Sequence, residues 1–152
     1  MKMPRILEIQ KKSNQYLANF TANVVRVIES NAEKTVDFNR MQFLQSKDAN
    51  GKPLIHNSTG KQTLTKAYAK KTGKTKPNFW LKGDFQEAMF LTMPDEKEYF
   101  IASKDFKSGY LSKNYSSGDK DSIFGVSPEN QPKAQKINDA ALVNDYLKLV
   151  FQ

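Results

Sequence analysis

The sequence predicts an α+β domain, and three observations carry that prediction. Apolar residues recur at helical spacing through the first third of the chain. Two short apolar runs either side of Pro94-Asp95-Glu96-Lys97 read as an antiparallel hairpin, and a second long periodic stretch closes the chain. The expected plan is a helix over about 12–45, a loop and β region over about 46–127, and a helix over about 131–150, all in one domain of 152 residues.

From Lys12 to Ser30, the residues Tyr16, Leu17, Phe20, Val24, Val27 and Ile28 fall three and four apart with polar residues between them, the pattern of an amphipathic helix. Met1 to Ile9 reads as a short extended or frayed lead. The polar stretch from Glu29 to Lys34 is either mid-helix or a break, since Val36, Met41, Phe43 and Leu44 resume the apolar pattern. Ser46 to Pro53 then carries the Asx, Gly and Pro residues of a tight turn. Asp48, Asn50 and Gly51 invite comparison with a calcium loop, but the further carboxylates and the closing Glu are missing from Leu54 to Gly60, so a plain turn without metal is expected. His56 has no neighbouring carboxylate in the sequence and reads as a surface residue of a polar loop.

The densest basic segment follows. Lys66, Tyr68, Lys70, Lys71, Lys74 and Lys76 read as an arm contacting a neighbouring subunit, an acidic partner or the backbone of DNA; the alternative is a solvated loop with Tyr68 tucked inward. The second glycine that a phosphate loop needs is absent, so nucleotide binding of that type is not expected. Beyond it, an apolar run containing the only tryptophan, Trp80, meets Gly83-Asp84, where a chain can take φ > 0 and turn. Met89, Leu91 and Met93 alternate with Ala88, Phe90 and Thr92, so a strand with both faces against protein is expected after this corner. Trp80, Gly83, Phe85, Phe90 and Phe124 are the expected anchors of corner and core.

Glu98 to Ser103 reads as the returning strand. Gly109 to Gly118 reads as a loop or a single helical turn anchored by Tyr110, Leu111 and Tyr115, and Ser122 to Pro128 as a short strand or a pinned turn. In the closing helix Ile137, Ala140, Ala141, Leu147 and Val150 form one stripe and Leu142, Tyr146 and Leu149 another. That is more apolar surface than one core contact needs, which assigns the second stripe to a neighbouring subunit.

Composition narrows the chemistry. Without cysteine there are no disulfides, thiolate metal sites or Cys nucleophiles, and one histidine removes most imidazole chemistry. The pairs Asp95 with Glu96 and Asp119 with Asp121 lie in turn-like polar sequence with no His or Cys nearby, so no catalytic role, cofactor or metal is expected. No apolar run approaches the roughly 20 residues of a membrane helix, and a signal-peptide core is not evident. A net charge of +8 raises nucleic acid or an acidic protein surface as partners. With only Arg5, Arg26 and Arg40 as arginines, the charge is mostly lysine, which suits backbone contact better than base reading.

Four pieces in fixed order carry a family resemblance: Asn39 and Gln42 ahead of Asp48-Ala49-Asn50-Gly51-Lys52-Pro53-Leu54; Ala67 to Lys74; Leu81-Lys82-Gly83-Asp84-Phe85 with Met89; and Ile123-Phe124-Gly125-Val126 before the closing helix. Over residues 36 to 150 this layout resembles the tail-completion, neck or head-tail connector proteins of tailed bacteriophages. The resemblance implies a structural virion protein without enzymatic activity, assembled in the host cytoplasm. It implies sixfold or twelvefold rings around the DNA channel, with portal, adaptor or tail proteins as neighbours. Such rings are heterologous assemblies, and the helix over 12–45 against the 131–150 helix of a neighbour is the expected contact. The competing expectation, from charge alone, is a lysine-rich nucleic-acid-binding accessory protein.

Overall fold

A computed structural model of the chain describes residues 3–79, 82–115 and 123–151; Trp80, Asp119 and Asp121 lie outside them. Among the described residues the architecture is α+β, with seven helices and one two-stranded antiparallel sheet. The first third is three helices: α1 (Met3–Ala18), α2 (Phe20–Ser30) and α3 (Ala32–Leu44). The expected frayed lead is thus helical from Met3. Pro4 falls in the first turn, where its missing N–H has no intrahelical partner to lose, and no helix breaker follows it. A Glu8–Lys12 ion pair at 3.4 Å supports the exposed side at helical i,i+4 spacing.

The breaks fall on asparagines. Asn19 (φ −108°, ψ 21°) separates α1 from α2, and Asn31 (φ −101°, ψ 10°) separates α2 from α3, which selects the break at 29–34 left open by the sequence. Asparagine competes with the helix by bonding to nearby backbone: the Asn19 side-chain amide donates to the Gln15 carbonyl at 2.9 Å, and the Asn23 amide donates to the Tyr16 carbonyl at 3.1 Å.

Helix α3 is the centre of the fold. Thr35, Val36, Asn39, Gln42 and Phe43 are buried along its length at helical spacing. Val36 and Phe43 join Leu54, Phe85, Met89, Ile101, Ile123 and Val126 in the core. Phe43 meets the rings of Phe79 at 5.0 Å and Phe85 at 5.9 Å, offset and edge contacts that aromatic quadrupoles favour.

The corner forms as expected at Gly83, which is buried at φ 98°, a conformation costly to any residue with a Cβ. It opens first into a single helical turn, α5 (Asp84–Glu87), and only then into β1 (Met89–Thr92). Strand β1 pairs with β2 (Phe100–Ser103) in the register Met89↔Ser103 to Thr92↔Phe100. Helix α3 packs on this hairpin, which two strands alone could not sustain. The expectation of a strand covered on both faces is corrected: Met89 is buried, Phe90 and Leu91 are half-buried and Thr92 is exposed. The Lys104 ammonium sits 5.1 Å from the Phe90 ring centroid, so that outer face is capped by a cation rather than by core.

Arg40 joins α3 to these elements. Its guanidinium donates to the Gln86 carbonyl at 2.9 Å and the Met89 carbonyl at 3.4 Å, and pairs with Glu33 and Asp37. Burial alone would lower its affinity for the proton, but the hydrogen bonds to Glu33 and Asp37 outweigh burial and hold it above its ordinary value.

The closing helix, α7 (Gln131–Phe151), runs antiparallel along α2 and α1. The Ser13 and Tyr146 hydroxyls meet at 3.0 Å, the rings of Tyr16 and Tyr146 pack edge-on at 5.2 Å, Arg26 pairs with Asp145, and the Asn31 amide donates to Asn138 at 3.2 Å. The helix pairing expected between subunits is therefore made within the chain. Its cause is the segment 123–127, which is fixed to α3 and so starts α7 beside α3, pointing back along α2.

Candidate functional site

Two arrangements concentrate the residues singled out from the sequence. The first is a buried polar clamp. Asn39 donates from Nδ2 to the Ile123 carbonyl at 3.0 Å and accepts the Gly125 N–H at Oδ1 at 3.1 Å. One turn on, Gln42 donates from Nε2 to the Gly125 carbonyl at 3.0 Å and the Asp48 carbonyl at 3.2 Å, and accepts the Ser127 N–H at 2.8 Å. Both side chains are almost wholly buried, at 0% and 2% exposure, so these bonds replace water for backbone groups that have no ladder partner. The 46–53 turn is held from the same side: Asp48 is an Asx turn, its Oδ1 accepting the N–H groups of Asn50 at 2.9 Å and Lys52 at 2.8 Å. The 122–128 knot, insofar as it is described, is the pinned turn rather than a strand.

The second arrangement is a cleft of about 580 Å³. One wall is the 56–65 loop and α4 (Lys66–Thr72). Where the sequence reading had a basic loop, Thr65 caps a helix by accepting the Tyr68 N–H, and Gly73 at φ 68° stops it. The opposite wall is α6 (Ser108–Tyr115), a full two-turn helix where a loop or single turn was expected. Asn57 ties the loop to α6, its backbone N–H donating to the Asn114 carbonyl at 2.7 Å and its amide to the Lys113 carbonyl at 2.8 Å. His56 packs edge-on to Tyr115 at 5.1 Å and shares a 2.8 Å hydrogen bond with the Ser58 hydroxyl. It is half-buried in the cleft wall rather than free on the surface.

The floor is aromatic and apolar: Phe79, Phe85, Leu111 and Tyr115. The rim carries Lys74, Lys76, Lys82 and Lys107 against one acid, Asp84, with Tyr68 and Tyr110 beside them. Lys74 donates to the Asn78 side chain at 3.2 Å, and Lys107 lies 3.8 Å from Asp105, which removes part of its charge from the balance. Burial raises the Tyr115 hydroxyl above the ordinary phenol value, with smaller contributions from Tyr110 and Tyr68, so the three phenols share one electrostatic neighbourhood.

Of the basic arm, Tyr68, Lys74 and Lys76 line the cleft, while Lys66, Lys70 and Lys71 stand exposed on α4 away from it. Of the expected anchors, Gly83 and Phe85 are buried, Phe124 packs on Phe85 at 6.0 Å, Phe90 is half-buried, and Trp80 falls outside the described residues. Lys82 lines the cleft although no contact role is read for it in the sequence, whereas Lys107 and Tyr110 fall in the 104–122 segment that the sequence offers, with 61–76, as contact loops.

On the helical side, Tyr146 turns to Ser13 and Tyr16 of α1 in the same chain, and Leu142 lines a pocket with Phe20, Val24 and Val27 of α2 while its carbonyl accepts from the Tyr16 hydroxyl at 3.3 Å. Leu149 stays 47% exposed, and Val143, Leu147 and Phe151 are exposed with it, as are Leu7, Leu17 and Phe20 on the adjoining helices. Among the described residues no cluster of three or more His, Asp or Glu could hold a metal ion, and no helix is long and apolar enough to cross a membrane. Comparison of the chain with protein-family models, curated proteins and solved structures finds no match.

Proposed function

We propose that the chain is a structural subunit of a ring in the head-tail connector or tail-completion region of a tailed bacteriophage, joining portal or adaptor to tail around the DNA channel. The observation that carries this reading is spatial convergence of the segments on which the resemblance rests. Asn39 and Gln42 hold Ile123 to Ser127 and the Asp48 carbonyl, and Phe85 packs on Phe124. The Ala67–Lys74 piece adds Tyr68 and Lys74 to the cleft over Gly83 and Phe85. These contacts join segments more than 80 residues apart into one core. In this reading the subunit is no enzyme, and its exposed apolar positions on α1, α2 and α7 are seats for the next subunit and for neighbouring virion proteins.

One observation favours a second reading, a nucleic-acid-binding accessory protein: the exposed lysines of α4 adjoin a lysine-rimmed cleft. Light scattering of purified protein at low and high salt, with and without duplex DNA, separates the two. A closed ring or concentration-dependent multimer indifferent to salt supports the connector. A monomer that gains mass only with DNA and releases it in salt supports the second reading, since backbone contacts weaken steeply with salt.

A further inference from the structure

The cleft combines features that a merely solvated basic face does not need. Its volume of about 580 Å³ falls within the roughly 300–1,000 Å³ of ligand sites. Tyr68 and Tyr110 line it while keeping 38% and 63% exposure, so phenol rings are presented to a ligand rather than spent on the core. Cations stand beside them at Lys74, Lys76 and Lys82. Planar rings offered for stacking next to cations suit a ligand whose flat apolar groups alternate with anions. Paired bases in a duplex present only their edges to a groove, so their faces are closed to these rings. Carboxylates of an acidic peptide would be satisfied by the lysines and leave the exposed phenols unexplained.

We propose that this cleft is a site for nucleotide units with unpaired bases, the bases stacking on Tyr68 and Tyr110 and the phosphates meeting Lys74, Lys76 and Lys82. The site rests on the second reading in taking nucleic acid as ligand, goes beyond it in strand state and residues, and is independent of ring formation. The same chemistry could come from a single strand or from free mononucleotide.

The test is fluorescence anisotropy with a labelled oligothymidylate of about 10 nucleotides, within the site sizes of aromatic grooves, single-stranded or hybridised to oligoadenylate. The single strand should bind more tightly than the duplex, and Tyr110→Ala and Tyr68→Ala should each weaken it about tenfold. Both rings are exposed enough for circular dichroism to stay unchanged. A variant carrying Lys66→Gln, Lys70→Gln and Lys71→Gln, outside the cleft, should keep the single-strand preference. Competition by thymidine monophosphate at concentrations similar to the oligonucleotide assigns the site to free nucleotide; competition only at large excess assigns it to a strand. Single-strand binding unmoved by both tyrosine variants overturns the site. So does displacement of the oligonucleotide by a lower concentration of a glutamate-rich peptide. If the α4 lysine variant abolishes equal binding of both strand forms, the site falls and the second reading stands; if wild type binds neither, both fall.

Discussion

The side chain of Gln42 and the backbone of Ser127 meet in the core: Gln42 Oε1 accepts the Ser127 N–H at 2.8 Å, 85 residues away in the chain. With Asn39 one turn earlier, this contact decides where α7 begins and so which helices it covers. The specificity lies in polar groups, since the neighbouring apolar residues could pack in several registers whereas each amide has fixed donor and acceptor directions.

Replacing Gln42 by Met keeps most of the volume and removes every one of these bonds. The Ser127 N–H then loses this partner in a buried site and the half-buried Gly125 carbonyl loses it too, while the Asp48 carbonyl keeps the Gly51 N–H at 3.0 Å. A loss of about 3 kcal/mol is expected, the scale of stranding buried polar groups. Urea denaturation followed by tryptophan fluorescence measures it. A change below about 1 kcal/mol would show that the clamp is not energetically important.

Gly125 has φ 138°, and a Cβ there would stand 3.1 Å from the Ala49 Cβ. Gly125→Ala therefore meets both backbone strain and a packed neighbour and should cost about 1–3 kcal/mol. Gly83→Val, at φ 98°, should behave similarly. Gly109→Ala is the contrast: it lies in α6, with nothing within 4 Å of the added Cβ, and should be neutral or stabilise by up to about 1 kcal/mol through helix propensity. Equal melting temperatures for the three variants would refute this ranking.

Arg40→Met removes the donor that satisfies the Gln86 and Met89 carbonyls, whereas Arg40→Lys supplies one ammonium for a fork that reaches four groups. Both should destabilise, Met by about 2 kcal/mol, on the scale of charge-assisted hydrogen bonds. The exposed carboxylates Glu33 and Asp37 carry little of that value themselves. Glu33→Gln should accordingly leave the urea midpoint almost unchanged.

These residues also show what was legible in the sequence. The α+β class and the hairpin follow from apolar periodicity, and the turn at Gly83 from a Gly-Asp pair between apolar runs, because these features are local. The start of α1 was not legible, since the polar sequence between Leu7 and Tyr16 carries little periodicity and helix propensity there is a weak signal. The inward face of α3 was half legible: Val36 and Phe43 stand out, but Asn39 and Gln42 look like solvent residues until the turn they hold is in place. The cleft was illegible as a site because its walls are joined by contacts between residues far apart in the chain, Asn57 to Lys113 across 56 residues and His56 to Tyr115, which only tertiary docking brings together.

The tyrosines give a pH signature. Burial raises Tyr99 above the ordinary phenol value near 10.0, and burial with neighbouring Tyr110 and Tyr68 raises Tyr115. A phenol whose folded value lies above its unfolded one favours the folded state below the unfolded value, and that contribution is lost as pH rises through the folded value. Stability should therefore hold to about pH 10 and fall beyond it. Ultraviolet titration should show Tyr99→Phe and Tyr115→Phe each deleting a late-ionising phenol, and deletion of an early one would contradict the assignment.

The last prediction concerns the helical face. Because α1 and α7 run antiparallel, Leu7 near the start of one and Leu149 and Phe151 near the end of the other lie towards the same end of the pair, all exposed. Tyr146 on α7 is already engaged by α1 and Leu142 lines a pocket with Phe20, Val24 and Val27 of α2, so in the ring reading contact with another subunit falls to Val143, Leu147, Leu149 and Phe151. Leu147→Lys with Leu149→Lys places two cations on exposed positions and leaves the core untouched, so the circular dichroism spectrum and urea midpoint should match wild type. In the ring reading the mass from light scattering should fall towards the 17.3 kDa of one chain, because like charges would then face an apolar seat. A multimer that survives both substitutions would move the subunit contact away from α7, and the half-exposed hairpin edge at Phe100 would become the next surface to substitute.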